Sequence, residues 1–425
     1  MTRRRAYRLA AIAAAASLSA SVPAMAQIHK DLVEQAPKEA PAPMPHINPD
    51  DPTTLPLRMD DSTHIWRTPR DPARNPERTP GPIDIQRYGV QLEPVGIKTF
   101  FHLPVALNQQ DLIAGQVDVA IFGAPTGALP HSAGAMWAPA EVRYTRDYGG
   151  YGDPRFPLGW IEYETLINPF GILKAVDYGD AGLNPYSQAQ TLEDIRRMTR
   201  EIAETGAIPF AVGGDHSVPN GTFRGIIDVY GRKNVAFVHF DVHLDRGTGE
   251  FGAWYHAGTY MDLAVEEGLI SGDKVIQYGM ATPVFGEHLY EQILREGGKV
   301  YHIHEIRRDG VDATFDRIYE DLKDIDLVYV SFDIDTFDMS YAPGVGSASP
   351  IGSRPDELFP QLREFAARKT IVGFDIVEYQ PFYDNRGQQT ARLVRRTMLQ
   401  FLTGIAMKKA GIAPDYVHPR ISGKP

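Results

Sequence analysis

Eight short runs of β-branched and aromatic residues recur along the chain beyond residue 96, most of them halted by glycine, aspartate or proline. They are "VDVAIFGAP", "ILKAVDYGD", "IPFAVGGD", "NVAFVHFD", "KVIQYGM", "KVYHIHE", "DLVYVSFDID" and "TIVGFDIVE". A strand with one solvated face alternates apolar and polar residues, whereas near-continuous apolar character suits strands buried on both faces. Helical periods lie between the runs: after Thr191-Leu192-Glu193-Asp194, residues Leu192, Ile195, Met198 and Ile202 share one face. Strands alternating with helices predict a three-layer α/β/α domain around a mostly parallel sheet, from about residue 97 to 415. Ligands of such sheets bind beyond the carboxyl ends of the strands, so the ends of the runs are where chemistry is sought.

The flanks read differently. Residues 1–26, "MTRRRAYRLAAIAAAASLSASVPAMA", have a basic start, a short alanine-rich apolar stretch and the ending Ala24-Met25-Ala26, which predicts a cleaved export signal and a mature start at Gln27. The apolar stretch is short and serine-interrupted for a membrane span. Arg4-Arg5 with Tyr7 fits a twin-arginine signal or a plain basic leader. The expected location is therefore periplasmic or secreted, in a bacterium, with no membrane span after cleavage. The chain has no cysteine, so stability comes from the core and not from disulfides. Residues 27–96 are rich in proline without an apolar period, which predicts an extended arm, and 416–425 form a short tail. The formal charge of −11 becomes more negative once the leader's arginines are gone, which argues against nucleic acid as a partner and favours cationic ligands.

Four run ends carry polar clusters. In "HFDVHLD", Asp241, His243 and Asp245 alternate, and strand geometry projects them to one side. "SFDIDTFD" offers Asp333 and Asp335, "VGGDHS" offers His216 after two glycines that let the backbone turn, and "GFDIVEYQP" ends on Glu378. Singly, each histidine reads as a hydrogen-bonded structural residue, and Asp215 as a turn or cap. Together, two histidines and five carboxylates in one crevice would repel unless divalent cations neutralised them. Oxygen-rich coordination without thiolate suits manganese first, with iron, nickel, cobalt or zinc as alternatives. Two such metals sharing carboxylates make a water nucleophilic at neutral pH.

"GGDHS", "FDVHLD", "SFDIDTFDMSYAPG" and "DIVEYQPFYD", in that order over residues 97–410, resemble the ureohydrolase (arginase and agmatinase) family. The resemblance implies a dimanganese hydrolase that cleaves guanidinium groups to urea and an amine. It implies His216, Asp241, Asp245 and Asp333 as ligands of one metal and Asp241, His243, Asp333 and Asp335 as ligands of the other. Asp245 would also hold the attacking water, Glu378 would grip the guanidinium through a carboxylate fork, and His256 of "WYHAGTY" would shuttle protons. Relatives are commonly trimers or hexamers, which implies a homo-oligomer.

Several segments depart from the family pattern. The usual His-Gly-Thr is here His256-Ala257-Gly258-Thr259, Val242 replaces an alanine, and Met339 a proline. "GAPTGALPHSAGAMWAPAEVR" keeps Pro139 and Arg143 but has His131 and Met136 where arginines are usual. These segments bear on substrate choice, for which a short ω-guanidino compound such as agmatine or guanidinobutyrate leads and arginine is the alternative. Glu250 and Asp262 are candidates to attract a second positive charge and Arg246 to clamp a carboxylate, each alternatively a solvated loop residue. Phe251, Trp254 and Tyr255 either wall the entrance or anchor their loop. Two other classes stay open: a metal-retaining binding module without turnover, and a one-zinc hydrolase of acetylated amines.

Overall fold

All eight runs form strands: β1 (Val119–Ala124), β2 (Ala175–Asp180), β3 (Ile208–Gly213), β4 (Ala236–Phe240), β5 (Val275–Met280), β6 (Lys299–His302), β7 (Leu327–Asp333) and β8 (Thr370–Val377). The computed structural model describes residues 78–87, 96–127, 132–145, 161–232, 234–247, 254–283 and 287–423. The expected leader, most of the arm, and His131, Glu250 and Phe251 lie outside the described residues. The strands make one sheet in the order β2-β1-β3-β8-β7-β4-β5-β6, every neighbouring pair parallel. Continuous apolar character is explained directly, since β1, β3, β4, β5 and β8 are buried along their whole length.

Ten helices among the described residues matter here. They are α1 (Gln109–Gly115), α2 (Ala138–Tyr144), α3 (Gln188–Glu204), α4 (Pro219–Tyr230), α5 (Tyr260–Glu266), α6 (Glu287–Glu296), α7 (Ile303–Asp309), α8 (Val311–Asp321), α9 (Pro355–Arg368) and α10 (Gln389–Ala410). Helices α2, α8, α9 and α10 share a core with one face of the sheet, including Phe210, Phe240, Phe332 and Phe374. Helices α3, α4 and α5 cover the other face, against Phe122, Phe237 and Tyr329. Rings pack through the first core, Phe210 stacked on Phe374 at 4.0 Å and Phe401 tilted against Phe374 at 4.7 Å. Each buried phenylalanine contributes roughly 1.5–3 kcal/mol. Helices α9 and α10 approach closely at Gly404, where a side chain would strike Arg363 O.

Helix α3 begins at Gln188, ahead of the expected Thr191, because Ser187 caps it by accepting from Gln190 N. The apolar face stands as expected, with Leu192, Ile195 and Ile202 buried. Part of the expected arm is docked: Arg78 pairs with Asp111 at 2.8 Å, and Ile83 forms an antiparallel bridge with Val105. In the tail, His418 N donates to Glu164 O. Among the described residues no helix is long and apolar enough to cross a membrane.

The order of the sheet determines where chemistry can occur. The chain passes from β3 to β4 leaving a gap, builds β5 and β6 outward, and returns to fill the gap with β7 and β8. As a result β3, β8, β7 and β4 are adjacent, all pointing the same way, and the four polar run ends meet at one edge.

Candidate metal centre

β4 closes at Phe240, and Asp241 N then donates to Tyr278 O on β5. Strand alternation does not carry the next residues. The chain bends, His243 N meets Asp241 Oδ1 at 2.5 Å, and Asp245 takes a left-handed backbone at φ 45°. The bend divides the three side chains that a strand would have projected together. Asp241 Oδ2 and Asp245 Oδ2 each lie 3.0 Å from His216 Nδ1, with Asp333 Oδ2 at 3.2 Å. His243 Nδ1 instead lies 3.2 Å from Asp241 Oδ1 and 3.1 Å from Asp335 Oδ2. Two points of convergence thus share one carboxylate, Asp241.

His216 reaches its point through two close approaches. A side chain at Gly214 would lie 2.6 Å from Thr126 N, and one at Gly213 would lie 2.8 Å from Val377. Neither glycine has a positive φ. They admit neighbouring chain segments and are not there for the turn expected from the sequence. The far side of the His216 ring is held, with Nε2 2.9 Å from Ser331 Oγ and 3.0 Å from Tyr260 Oη. Ser331 in turn donates to Asp375 Oδ1 at 2.7 Å. Nδ1 is left facing the carboxylates, the orientation a ligand needs. Asp215 is structural, in keeping with its reading as a turn or cap, accepting from Thr126 Oγ1 and from Ser217 N.

The residues fit cations. His216 Nδ1 and Asp335 Oδ1 are buried without a hydrogen-bond partner. Among the described residues no arginine or lysine pairs with Asp241, Asp245, Asp333 or Asp335. Burial, then the charges of Asp335 and Asp241, pushes Asp333 well above the usual carboxylate range. Burial and Asp241 push Asp335 up to about 6. Burial would raise Asp241 too, but contacts with His216, His239 and His243 hold it well below the usual value. Burial opposes charge on His216 as well, yet the three aspartates around it raise it well above an ordinary imidazole.

Glu378 follows β8 in a left-handed conformation (φ 63°), its N–H donating to Gly214 O. Its Oε1 accepts from His216 N at 2.8 Å and its Oε2 from Ser132 Oγ at 3.1 Å. Burial, and then Asp215, raises its carboxyl to about 8. Ser132 is a site residue that the sequence reading missed. His239 is another: fully buried, it places Nε2 3.0 Å from Asp241 Oδ2. Its signal was present, because it precedes Asp241 by one strand alternation.

His243, Asp245 and His256 line a cleft of ≈ 320 Å³. His256 Nδ1 accepts from Gly258 N at 3.2 Å, while Nε2 is buried and unpartnered. Arg246 and Asp262 are not solvated loop residues: both line this cleft, and Arg246 Nη1 is buried without a hydrogen-bond partner. Arg246 Nε lies 2.5 Å from Asp262 Oδ1 and Nη2 2.5 Å from Glu296 Oε2, both from buried or nearly buried side chains. Tyr255 packs beside a core cluster as a loop anchor, whereas Trp254 is 38% exposed. Arg143 is structural, bound to Asp177 and Asp180 and lying over the Phe100 ring.

This arrangement has counterparts. Residues 117–404 match the model of the arginase family. A guanidinopropionase from Pseudomonas aeruginosa is 32% identical over 72% of this chain and 90% of its own. The mitochondrial agmatinase of Gallus gallus is 29% identical over 73% of this chain and 86% of its own. The solved proclavaminate amidino hydrolase of Streptomyces clavuligerus superposes with a TM-score of 0.62 at 27% identity, covering 75% of this chain and 100% of that one. With its fold and most of its length matched, the chain belongs to the arginase family and is a hydrolase of non-peptide C–N bonds in linear amidines.

Proposed function

We propose that this hydrolase acts on a short ω-guanidino compound, agmatine or a guanidinobutyrate-like acid, and releases urea and an amine. The observation that carries the reading is the pair of convergence points sharing Asp241, with Glu378 beside them on the next strand end. His216, Asp241, Asp245 and Asp333 would hold one divalent cation and Asp241, His243 and Asp335 a second, to which the family resemblance adds Asp333, manganese being the leading identity for oxygen-rich sites. When bound, such a pair supplies a water that is nucleophilic at neutral pH. Glu378 would fork onto the guanidinium, a cation whose arrival favours the ionised carboxylate that burial disfavours. Asp245 would accept a hydrogen bond from the attacking water. His256, its Nδ1 already occupied, would pass a proton from Nε2 to the leaving amine as the C–N bond breaks.

The matched guanidinopropionase and agmatinase support a short guanidino chain. Arg246 and Asp262 pair with each other and both line the cleft, so an amine at the far end of the substrate would meet an Asp262 already held by Arg246, whereas a carboxylate would still find Arg246 Nη1 unpartnered. The distinguishing test is urea release by the manganese-loaded protein from agmatine, guanidinobutyrate, guanidinopropionate, arginine and free guanidine. Turnover of one compound is expected, with Asp241→Ala lowering it by at least about 10³-fold, the several kcal/mol that metal assistance supplies. Silence across the panel with two metals bound would sink the reading and favour a binding module or an amide substrate. We also propose export through residues 1–26 and assembly as a homo-oligomer. Recovery of unprocessed protein from the cytoplasm, or a monomer by light scattering, would remove the respective proposal.

A further inference from the structure

His239, His216, Asp241 and Asp245 form a cluster whose candidate ligand atoms all lie within 4.8 Å of one another. By distance alone His239 is as good a metal ligand as His216. The positions of the hydrogens separate them. Gln277 on β5 places its amide nitrogen 2.6 Å from Leu244 O, an acceptor, so that atom must be the NH₂ and not the amide oxygen. The same nitrogen lies 3.1 Å from His239 Nδ1. Nδ1 therefore faces a donor and holds a lone pair, which leaves the ring hydrogen on Nε2. Nε2 lies 3.0 Å from Asp241 Oδ2 and 2.8 Å from Tyr260 Oη. A nitrogen that carries hydrogen has no lone pair to offer a cation. Were the hydrogen moved to Nδ1, it would point into the Gln277 NH₂.

We infer that His239 is a positioning residue and not a ligand. Gln277 fixes the hydrogen on Nε2, and Nε2–H donates to Asp241 Oδ2. That bond keeps Oδ2 on the His216 side and Oδ1 on the His243 side, which is what sharing between two cations demands. His239, Gln277 and Asp241 are fully buried, so water cannot substitute for any of them. Tyr260 closes the layer, its hydroxyl oxygen lying between His239 Nε2 and His216 Nε2. The inference rests on the proposed role of Asp241, yet the hydrogen's place can be read without metal.

The first readout is long-range ¹H–¹⁵N correlation on the metal-stripped full-length protein labelled in histidine, with the His239 signals identified by their loss in His239→Gln. Hydrogen on Nε2 is expected; hydrogen on Nδ1 overturns the inference. The second is manganese binding by calorimetry. His239→Gln restores an N–H where Nε2 stood but cannot ligate as an imidazole, so its stoichiometry should match the parent and its affinity stay within a few-fold. His239→Leu, which keeps bulk and loses the donor, should weaken binding by about 10–100-fold, the usual cost of an outer partner. Loss of one manganese in His239→Gln with unchanged thermal unfolding would make His239 a ligand, and undiminished affinity in His239→Leu would make it idle. If Asp241→Ala itself binds manganese normally, the metal reading of Asp241 fails while the Nε2–H assignment stands.

Discussion

Asp245 and Arg246 are consecutive residues that belong to two oppositely built clusters of buried charge. Arg246 is enclosed by Asp262 of α5 and Glu296 of α6, each 2.5 Å away, so positive and negative charge meet within the chain. Arg196 with Asp228 (2.7 Å) and Arg363 with Glu162 (3.1 Å) are built the same way. Asp245 faces His216, Asp241 and Asp333, with Asp335 and Glu378 nearby, and among the described residues no arginine or lysine joins them. A buried charge persists only when a partner or a proton neutralises it. The closed cluster therefore explains a fold, while the open one implies something that arrives from outside.

The largest effect expected from that contrast is a pH dependence. Asp335 rises from 3.8 to about 6 and Glu378 from 4.5 to about 8, burial being the first cause for both. A carboxyl whose folded value is raised binds its proton more tightly in the native state. Its contribution to stability is thus present at low pH and lost as pH climbs through the folded value. At about 1.4 kcal/mol per unit, the metal-stripped protein should lose several kcal/mol between pH 4 and 8. Asp241, held below 3.8, acts in the opposite sense but only in more acid solution. Saturating manganese should flatten the profile, because a cation replaces the protons. Urea midpoints at several pH values, with chelator and with manganese, measure this; a level profile in chelator would break the comparison.

Next comes the closed cluster. Arg246→Met keeps the bulk of the side chain and leaves Asp262 and Glu296 without their cation, at an expected cost of about 3–5 kcal/mol in unfolding free energy. The loss should be the same with and without manganese. Restoration by manganese would mean that the two clusters are one system.

His256 sits beside the open cluster without belonging to it, which sharpens the boundary. His256→Ala should lower kcat by about 10²-fold, the low end for a lost acid–base group, with manganese content unchanged. A fall in bound metal would place His256 inside the cluster and retire the proton-shuttle role.

The sequence was most legible where one residue pattern had one cause. The inner strands were readable because burial on both faces leaves continuous apolar runs, the edge strands β2 and β6 being partly exposed, and the ligand candidates were readable because a parallel sheet puts all strand ends on one edge. Pairings across long separations were not. Arg246 and Asp262 read as loop residues since Glu296 lies 50 positions away, and Ser132 meets Glu378 across 246 positions. No periodicity records such partners. Strand alternation also misled locally: it grouped Asp241, His243 and Asp245, where the bend after Phe240 and the left-handed Asp245 send them to two places. The same alternation would have found His239, whose significance depends on Gln277 in a neighbouring strand.

The smallest effect is the most specific. Ser132 donates to Glu378 Oε2 at 3.1 Å and is fully buried, so its hydroxyl favours the ionised form of a carboxylate that burial disfavours. Ser132→Ala should cost about 1 kcal/mol of substrate binding, roughly a five-fold rise in KM, with kcat little changed. The loss should be greater at pH 7 than at pH 9. In more alkaline solution Glu378 is ionised with or without the serine, and only the geometric part of the bond remains to be lost. An equal loss at both pH values would mean that Ser132 orients Glu378 without tuning its charge. A loss confined to kcat would separate Glu378 from substrate binding, and the open cluster would then lack its guanidinium partner.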